Sequence, residues 1–304
     1  MSDVAPEHLS PNQRAWRRFR RNGPAIIALV FLAFLLLTIA FLPTQPPNNT
    51  TDLQFSKPTA KHWFGTDIHG RDLFARVIAG GRVSLLVGAV GASVSLVIGV
   101  LWGAIAGYVG GRTDTIMMRV VDVLYSLPTV IFVIVMIALL NGYIATAKAG
   151  SFISENEVLL RMLLLFVGIG AVSWLTMSRI VRGQVLSLKN RQFIDASRSL
   201  GATHSRILFK HILPNVAGVI LVYLTLTVPS VILYESFLSF LGMGVQPPMA
   251  SWGWLISEGA HQLNPIRIYW WLLVFPCVVM IMTLLALNFL GDGLRDAFDP
   301  RAEH

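Results

Sequence analysis

FIDASRSLGATHSRILFKHILPN, residues Phe193–Asn215, is a polar, basic stretch set between two long apolar runs. Asp195-Ala196-Ser197 opens a short helix-compatible run, and Gly201 breaks it, because glycine alone turns the chain freely. A second amphipathic run follows and is expected to end at Leu213-Pro214. Backbone of this polarity cannot lie in lipid. A polar hairpin held between two apolar runs therefore implies a soluble partner that reads it.

Working outward from the hairpin, apolar runs near the roughly 20 residues needed to cross a bilayer recur along the chain. Six are expected: 24–42, 84–109, 116–140, 162–179, 215–235 and 268–290. Composition agrees: 54% of residues are hydrophobic and only 13% charged, about half the charged share of a soluble domain. The fold class expected is all-α, a six-helix integral membrane protein. The domain plan is a segment 1–23, a membrane domain 24–290 with the hairpin at about 182–214, and a polar tail 291–304. The single cysteine, Cys277, lies in the last run and has no partner in the chain for a disulfide.

A net charge of +8 raises the question of nucleic acid, and charge placement answers it. With the N-terminus inside, the Lys and Arg residues divide 16 to the hairpin side and 8 to the other. That is the direction of the positive-inside rule, and no nucleic-acid partner is expected. The first outer loop, with Lys57, Lys61, Arg71, Arg76 and Arg82, is basic for its side. Ala25–Leu42 is too long for a signal-peptide core and is followed by Pro43, Pro46 and Pro47 rather than a small-residue cleavage site. It is expected to be retained as the first helix, with Pro24 in its opening turn.

Gly99, Gly103, Gly107 and Gly111 recur at four-residue spacing, a smooth stripe that lets helices approach closely in lipid. Its partner is either a helix of this chain or another subunit. Arg119 and Asp122 share a helical face, where they neutralise each other or meet a neighbouring helix. Pro128 should bend the third span. The link Asn141–Glu157 is polar. Beyond the fifth span, Glu235–Gly259 is rich in Gly, Pro and Trp, and Phe237, Phe240, Trp252, Trp254, Trp270 and Trp271 are expected at the membrane interface.

Chemistry by this chain is not expected. His62, Asp67, His69 and Asp72 lack the paired-His spacing of a zinc site. Asp292, Asp296 and Asp299 alternate with Arg295 and Arg301 like a charged exit from a membrane helix. No G-x-x-x-x-G-K-[ST] loop is present to hold ATP. Spans one, two, five and six carry no charged residue through their apolar centres, and span four is clear between Arg161 and Arg179, whereas ion-coupled transporters and intramembrane enzymes use ionisable groups at depth. If the protein moves a solute uphill, the energy must come from another subunit.

The hairpin resembles the EAA loop of ABC importer permeases, E-A-A-x3-G-x9-I-x-L-P, with Asp195 for the Glu, Ser197 for the second Ala and His211 for the Ile. Ala196, Gly201, Leu213 and Pro214 match at their places. FGTDIHGRDLFARV (Phe64–Val77), ESFLSFLGMGVQPPMASWG (Glu235–Gly253) and NFLGDGLRDAFDPR (Asn288–Arg301) resemble the C-type membrane subunits of oligopeptide and dipeptide ABC importers. The resemblance implies a type I importer permease of the bacterial inner membrane with both termini cytoplasmic. It implies no enzyme activity and no cofactor in this chain; ATP and Mg are bound by partners. Those partners are a homologous permease, two ATPase subunits and an extracytoplasmic solute-binding protein, with a peptide as solute. It also implies that Asp195, Ala196, Ser197, Gly201, Leu213 and Pro214 couple to the ATPase. Gly242, Gly244, Pro247, Pro248 and Trp252 would form an outer gate or binding-protein contact. Other members of the family carry nickel chelates, glutathione or haem, and nothing in the spans separates these solutes.

Overall fold

Apolar sequence of spanning length folds here as helix, the only local structure that satisfies its own backbone in lipid. The computed structural model describes residues 11–42, 44–146, 156–245, 249–263 and 266–298. Its helices are α1 (Pro11–Arg21), α2 (Gly23–Phe41), α3 (Leu73–Val109), α4 (Gly111–Ser126), α5 (Thr129–Ala145), α6 (Glu157–Leu188), α7 (Gln192–Ser199), α8 (His204–Phe240), α9 (Trp252–His261) and α10 (Trp270–Phe298). The isolated Thr66–Asp72 bridge is the one β contact among the described residues. Helices α2, α3, α6, α8 and α10 are long and apolar enough to cross a membrane, and the bent pair α4–α5 passes the same test of length and composition only when its two helices are taken together.

Helix α2 shows how a span faces two solvents at once. Its buried residues Ala25, Ala28, Leu32, Leu35 and Ile39 form one stripe, while Ile27, Val30, Phe34, Leu37 and Phe41 lie exposed on the other. Both stripes are apolar because one meets protein and the other meets lipid. Asn22 starts the helix, its side chain accepting from the Ala25 N–H, with Pro24 in the first turn as expected.

Helix α3 starts at Leu73, well before the expected residue 84, because Asp72 caps it by accepting from the Ala75 N–H. At 37 residues it is about 55 Å long, so it projects well beyond a hydrocarbon layer of roughly 30 Å. The stripe on α3 packs within the chain. A Cβ on Gly99 would lie 2.6 Å from Met177 Cβ, one on Gly103 2.3 Å from the Ser178 carbonyl oxygen, and one on Gly107 2.9 Å from that of Arg182. These three glycines let α3 and α6 touch backbone to backbone. Gly111 lies past the end of α3 and meets nothing.

The third span is not one bent helix. Leu127 is extended (φ −79°, ψ 135°), as a residue before proline tends to be, and the chain turns by 87° between α4 and α5. Arg119 and Asp122 do not neutralise each other: Asp122 pairs with Arg179 of α6 at 2.7 Å. The link Asn141–Glu157 lies largely outside the described residues, as do Asp299 and Arg301. The last helix continues to Phe298, so residues 291–298 belong to α10 rather than to a separate tail.

Val83 and Val87 of α3, Val133 and Ile137 of α5, Leu165 and Ile169 of α6, and Val231 and Leu238 of α8 make the central core. A second core joins α2, α3, α9 and α10 through Leu35, Ile39, Val77, Trp252 and Trp271. Phe19 of α1, Ala25 of α2 and Ala297 of α10 form a third, and Gly218 near the start of α8 lies against Phe298. The described ends of the chain therefore sit at the same end of the bundle as the hairpin.

Candidate functional site

The hairpin is built from α7, a tight turn and the start of α8. Leu200 ends α7 and Gly201 follows with φ +80°. The Ala202 N–H donates to the Ser197 carbonyl and the Gly201 N–H to that of Arg198, the paired bonds of a Schellman cap. Thr203 then starts the next helix by accepting from the Arg206 N–H.

The second run does not end at Leu213-Pro214. Residues Ile207–Ile212 form a π turn, and the Leu213 N–H reaches back to the Leu208 carbonyl. Pro214 has no N–H and its ring crowds the carbonyl four residues earlier. Widening the preceding turn by one residue lets the helix pass through the proline and continue to Phe240.

One side of the hairpin is fixed. Ile194, Ile207 and Ile212 are buried against Ala104 of α3 and Met177, Val181 and Val185 of α6. Polar contacts hold the same seam: Tyr108 Oη lies 2.9 Å from His204 Nδ1, and Lys189 Nζ donates to the Gly107 carbonyl at the end of α3. Arg182 grips Asp114 with two hydrogen bonds of 2.5 and 2.6 Å, tying α4 to α6 beside it.

The other side is open. Asp195, Ala196 and Gly201 are exposed, and a Cβ on Gly201 would meet nothing within 4 Å. Among the described residues Asp195 pairs with Arg198 of the same helix alone, at 3.1 Å, and Ser197 Oγ donates to the Phe193 carbonyl. Leu200 stands at the tip 88% exposed, with Phe193 and Phe209 also exposed. The motif reading passed over Leu200; its signal was an apolar residue directly before the turn glycine, where solvent is unavoidable.

At the opposite end, Gly242 has φ +77° and caps α8 with the same pair of bonds, Met243 N–H to Leu238 and Gly242 N–H to Ser239. Gly244 packs on the Ser239 backbone so closely that no side chain fits. Pro247 and Pro248 lie outside the described residues. Trp252 is not at an interface: it is fully buried, its indole N–H donating to the Val77 carbonyl and its backbone N–H to Ser84 Oγ. Trp271 is buried too, whereas Trp270, Phe237 and Phe240 are exposed. Glu235 does not begin an outer loop but lies inside α8, fully buried among the hydroxyls of Ser84, Ser236 and Ser239. A carboxylate enclosed only by hydroxyls is invisible to a hydropathy reading, which stopped the span at the first charge.

The basic outer loop is also resolved. Arg71 and Arg76 close a ring with Asp67 and Glu258 through contacts of 2.6 to 2.8 Å, clamping α9 to the start of α3. Arg82 Nε donates to the Ile39 carbonyl near the end of α2. His62 Nδ1 lies 3.2 Å from Asp72, the cap of α3. Asp67 thus serves an ion-pair ring and Asp72 a helix cap beside His62.

Comparison with known proteins places this architecture. The model of the binding-protein-dependent transport system inner membrane component matches residues 99–304, and that of the N-terminal membrane domain of oligopeptide transport permease C matches residues 10–58. The oligopeptide transport system permease protein OppC of Haemophilus influenzae is 46% identical over 95% of this chain and 88% of its own length. The dipeptide transport system permease protein DppC of Bacillus subtilis is 42% identical over 96% and 87%. Among solved structures, the methionine ABC transporter MetNI has the same fold, with a TM-score of 0.55 at 20% identity over 74% of this chain and 97% of that one. The chain belongs to the binding-protein-dependent transport system inner membrane components, as an ABC importer permease of the oligopeptide and dipeptide type with the type I fold.

Proposed function

We propose that this chain forms one half of the membrane channel of a peptide importer, paired with a homologous permease and driven by two ATPase subunits that bind ATP and Mg. A solute-binding protein delivers the peptide from outside. The chain itself does no chemistry; it converts closure of the ATPases into rearrangement of the spans. The observation that carries this reading is the two-sided hairpin: its back is buried in α3, α6 and α8, while its tip holds an exposed Leu200 beside Gly201. A push on the tip is thereby delivered to three membrane helices rather than absorbed in a loop.

In this reading Asp195, Ala196, Ser197 and Gly201 seat against the ATPase. Leu213 and Pro214 act differently, through the π turn that joins the hairpin to α8. Both termini and the hairpin face the cytoplasm of a bacterial inner membrane, which the arginine and lysine distribution supports. Residues 1–23 then flank the permease domain on that side, where α10 also carries the chain out past residue 290. At the outer end, Gly242, Gly244 and the segment leading to Trp252 form the gate or the seat of the binding protein. Trp252 serves there as the anchor that holds α9 against α3.

The test is reconstitution in proteoliposomes. Peptide-loaded binding protein should stimulate ATP hydrolysis only when both permeases and the ATPases are present, with peptide accumulating on the side of the hairpin. In a Cys277→Ser background, Ser205→Cys should resist an impermeant thiol reagent in intact cells while Asn49→Cys reacts. Labelling of Ser205→Cys without lysis would overturn the orientation.

A further inference from the structure

A cavity of about 310 Å³ opens between α4, α5, α6 and α8. Its wall is apolar but studded with hydroxyls: Tyr223, Thr227, Ser230 and Tyr234 of α8, and Ser173 and Thr176 of α6. The four on α8 are spaced four, three and four apart, so they lie along one face of the helix. No carboxylate, ammonium or guanidinium is among the described lining residues. The nearest charge pair, Arg179 with Asp122, lies at the hairpin-side margin, where the guanidinium sits 4.1 Å from the centroid of the Tyr125 ring.

The hydroxyls are already sorted into donors and acceptors. Thr227, Ser230 and Ser173 give their protons to carbonyls of their own helices, at 2.6, 3.2 and 2.9 Å. Their oxygens keep lone pairs free to accept. Tyr125 and Thr176 share a hydrogen bond. The Tyr223 and Tyr234 hydroxyls meet no partner among the described residues and are free to donate. Along α8 the cavity thus offers neutral donors at its two ends, Tyr223 and Tyr234, and neutral acceptors between them, Thr227 and Ser230, over about 16 Å of helix axis. That length equals about five residues of extended chain.

We propose that this hydroxyl face of α8 and α6 is the part of the solute pathway contributed by this subunit, and that it recognises the main-chain amides of an extended peptide rather than its termini or side-chain charges. An amide N–H fits the Ser and Thr oxygens and a carbonyl fits the tyrosine hydroxyls. A hydroxyl-lined wall without fixed charge has no preference between acidic and basic side chains, which suits a carrier of peptides of varied sequence. The proposal rests on the permease reading above. The other occupant of such a face, a helix of the partner permease, predicts a different loss and is an outcome of the test.

The experiment uses the full complex in proteoliposomes with three peptides of equal length: all-alanine, glutamate-containing and lysine-containing. The variant Tyr223→Phe/Tyr234→Phe removes two donors while keeping ring volume, and Thr227→Val removes one acceptor while keeping shape. The expected result is ATP-driven uptake in the unaltered complex, falling about tenfold in the double variant and about fivefold in Thr227→Val. The fall should be equal for all three peptides, with permease pairing and basal ATP hydrolysis intact. Unchanged uptake in both variants overturns the pathway assignment. A loss confined to one charge class overturns main-chain recognition. Loss of pairing in both variants assigns the face to the partner permease and overturns the proposal. If the unaltered complex hydrolyses ATP but imports none of the three peptides, the peptide reading itself fails, and the proposal with it.

Discussion

Ser239 Oγ donates a 2.6 Å hydrogen bond to Glu235 Oε1, one turn earlier on α8, and the same oxygen accepts from the Val245 N–H and from Ser251 Oγ. Ser84 Oγ repeats the arrangement from α3, donating to Glu235 Oε2 and accepting from the Trp252 N–H. One buried carboxylate thereby sets the direction of the Ser84 and Ser239 hydroxyls, which in turn hold the loop after α8 and the start of α9. Glutamine keeps one acceptor oxygen, and its amide can donate to the free lone pair of Ser84. Glu235→Gln should therefore stay within about 1 kcal/mol of the unaltered protein. Glu235→Leu orphans the serine donors, at about 1–3 kcal/mol for each buried group left without a partner. Thermal unfolding in detergent checks the order, and limited proteolysis after α8 checks the place: cleavage there should rise in Glu235→Leu only.

The ring of Asp67, Arg71, Arg76 and Glu258 makes a graded prediction. Asp67 and Arg76 are almost fully buried, while Arg71 and Glu258 are partly open to solvent. Asp67→Asn leaves two guanidiniums sharing one carboxylate, with Arg76 out of water, and should cost about 3–5 kcal/mol. Glu258→Gln should cost clearly less, because Arg76 retains Asp67 and Arg71 retains water. Raising salt should narrow the difference between Glu258→Gln and the unaltered protein and leave that of Asp67→Asn standing, since buried pairs are screened little. Equal losses from the two variants would show that the ring is not organised around Asp67.

The seam between α3 and α6 tests close approach directly. Gly103→Ala places a methyl 2.3 Å from the Ser178 carbonyl oxygen, a contact that requires the helices to separate. Gly183→Ala, on α6, meets nothing within 4 Å and removes only backbone freedom. The first should reduce the folded yield of the isolated subunit severalfold, and the second should leave it level or raise it. A silent Gly103→Ala would mean that the two helices are not seated as described.

How much of this was legible in the sequence depended on which physical signal each element carries. Spans show through because apolar length is a property of composition, and Gly99, Gly103 and Gly107 show through because helical spacing is regular. Whether that stripe met this chain or another could not be read, since a smooth face does not name its partner. Pro128 announced a disturbance but not its size: a bend and an 87° break both follow from a missing donor, and the surrounding packing chooses. Pro214 looked like a terminus because a proline that a π turn absorbs has the same local sequence as one that ends a helix. Glu235, Trp252 and Trp271 were misplaced because burial at a loop-rich end is decided by tertiary contacts, here Ser84, Val77 and the Thr66 carbonyl, each distant in sequence. Within the hairpin, Gly201 was readable as a left-handed turn, whereas the exposed Leu200 beside it had no motif position to mark it.

Leu200 and Gly201 separate recognition from shape at the hairpin tip. A Cβ on Gly201 meets empty space, so any penalty there comes from φ +80° alone, about 1–2 kcal/mol for an ordinary L-residue. Asparagine tolerates that region better than alanine, and a β-branched residue tolerates it least. Binding of the ATPases should therefore weaken in the order Gly201→Asn, Gly201→Ala, Gly201→Val, with the membrane domain still inserted and paired. Leu200→Asp changes no backbone angle and removes no buried contact, so thermal stability should move by less than about 0.5 kcal/mol. It nonetheless places a charge where the tip is most exposed and apolar, and should weaken ATPase binding at least tenfold in a pull-down with purified subunits. If the hairpin served only to stabilise the permease, the pattern would invert: Gly201→Val would be degraded or fail to pair, and Leu200→Asp would be silent. Full ATPase binding and normal ATP-driven uptake in both Gly201→Val and Leu200→Asp would remove the hairpin from the coupling path.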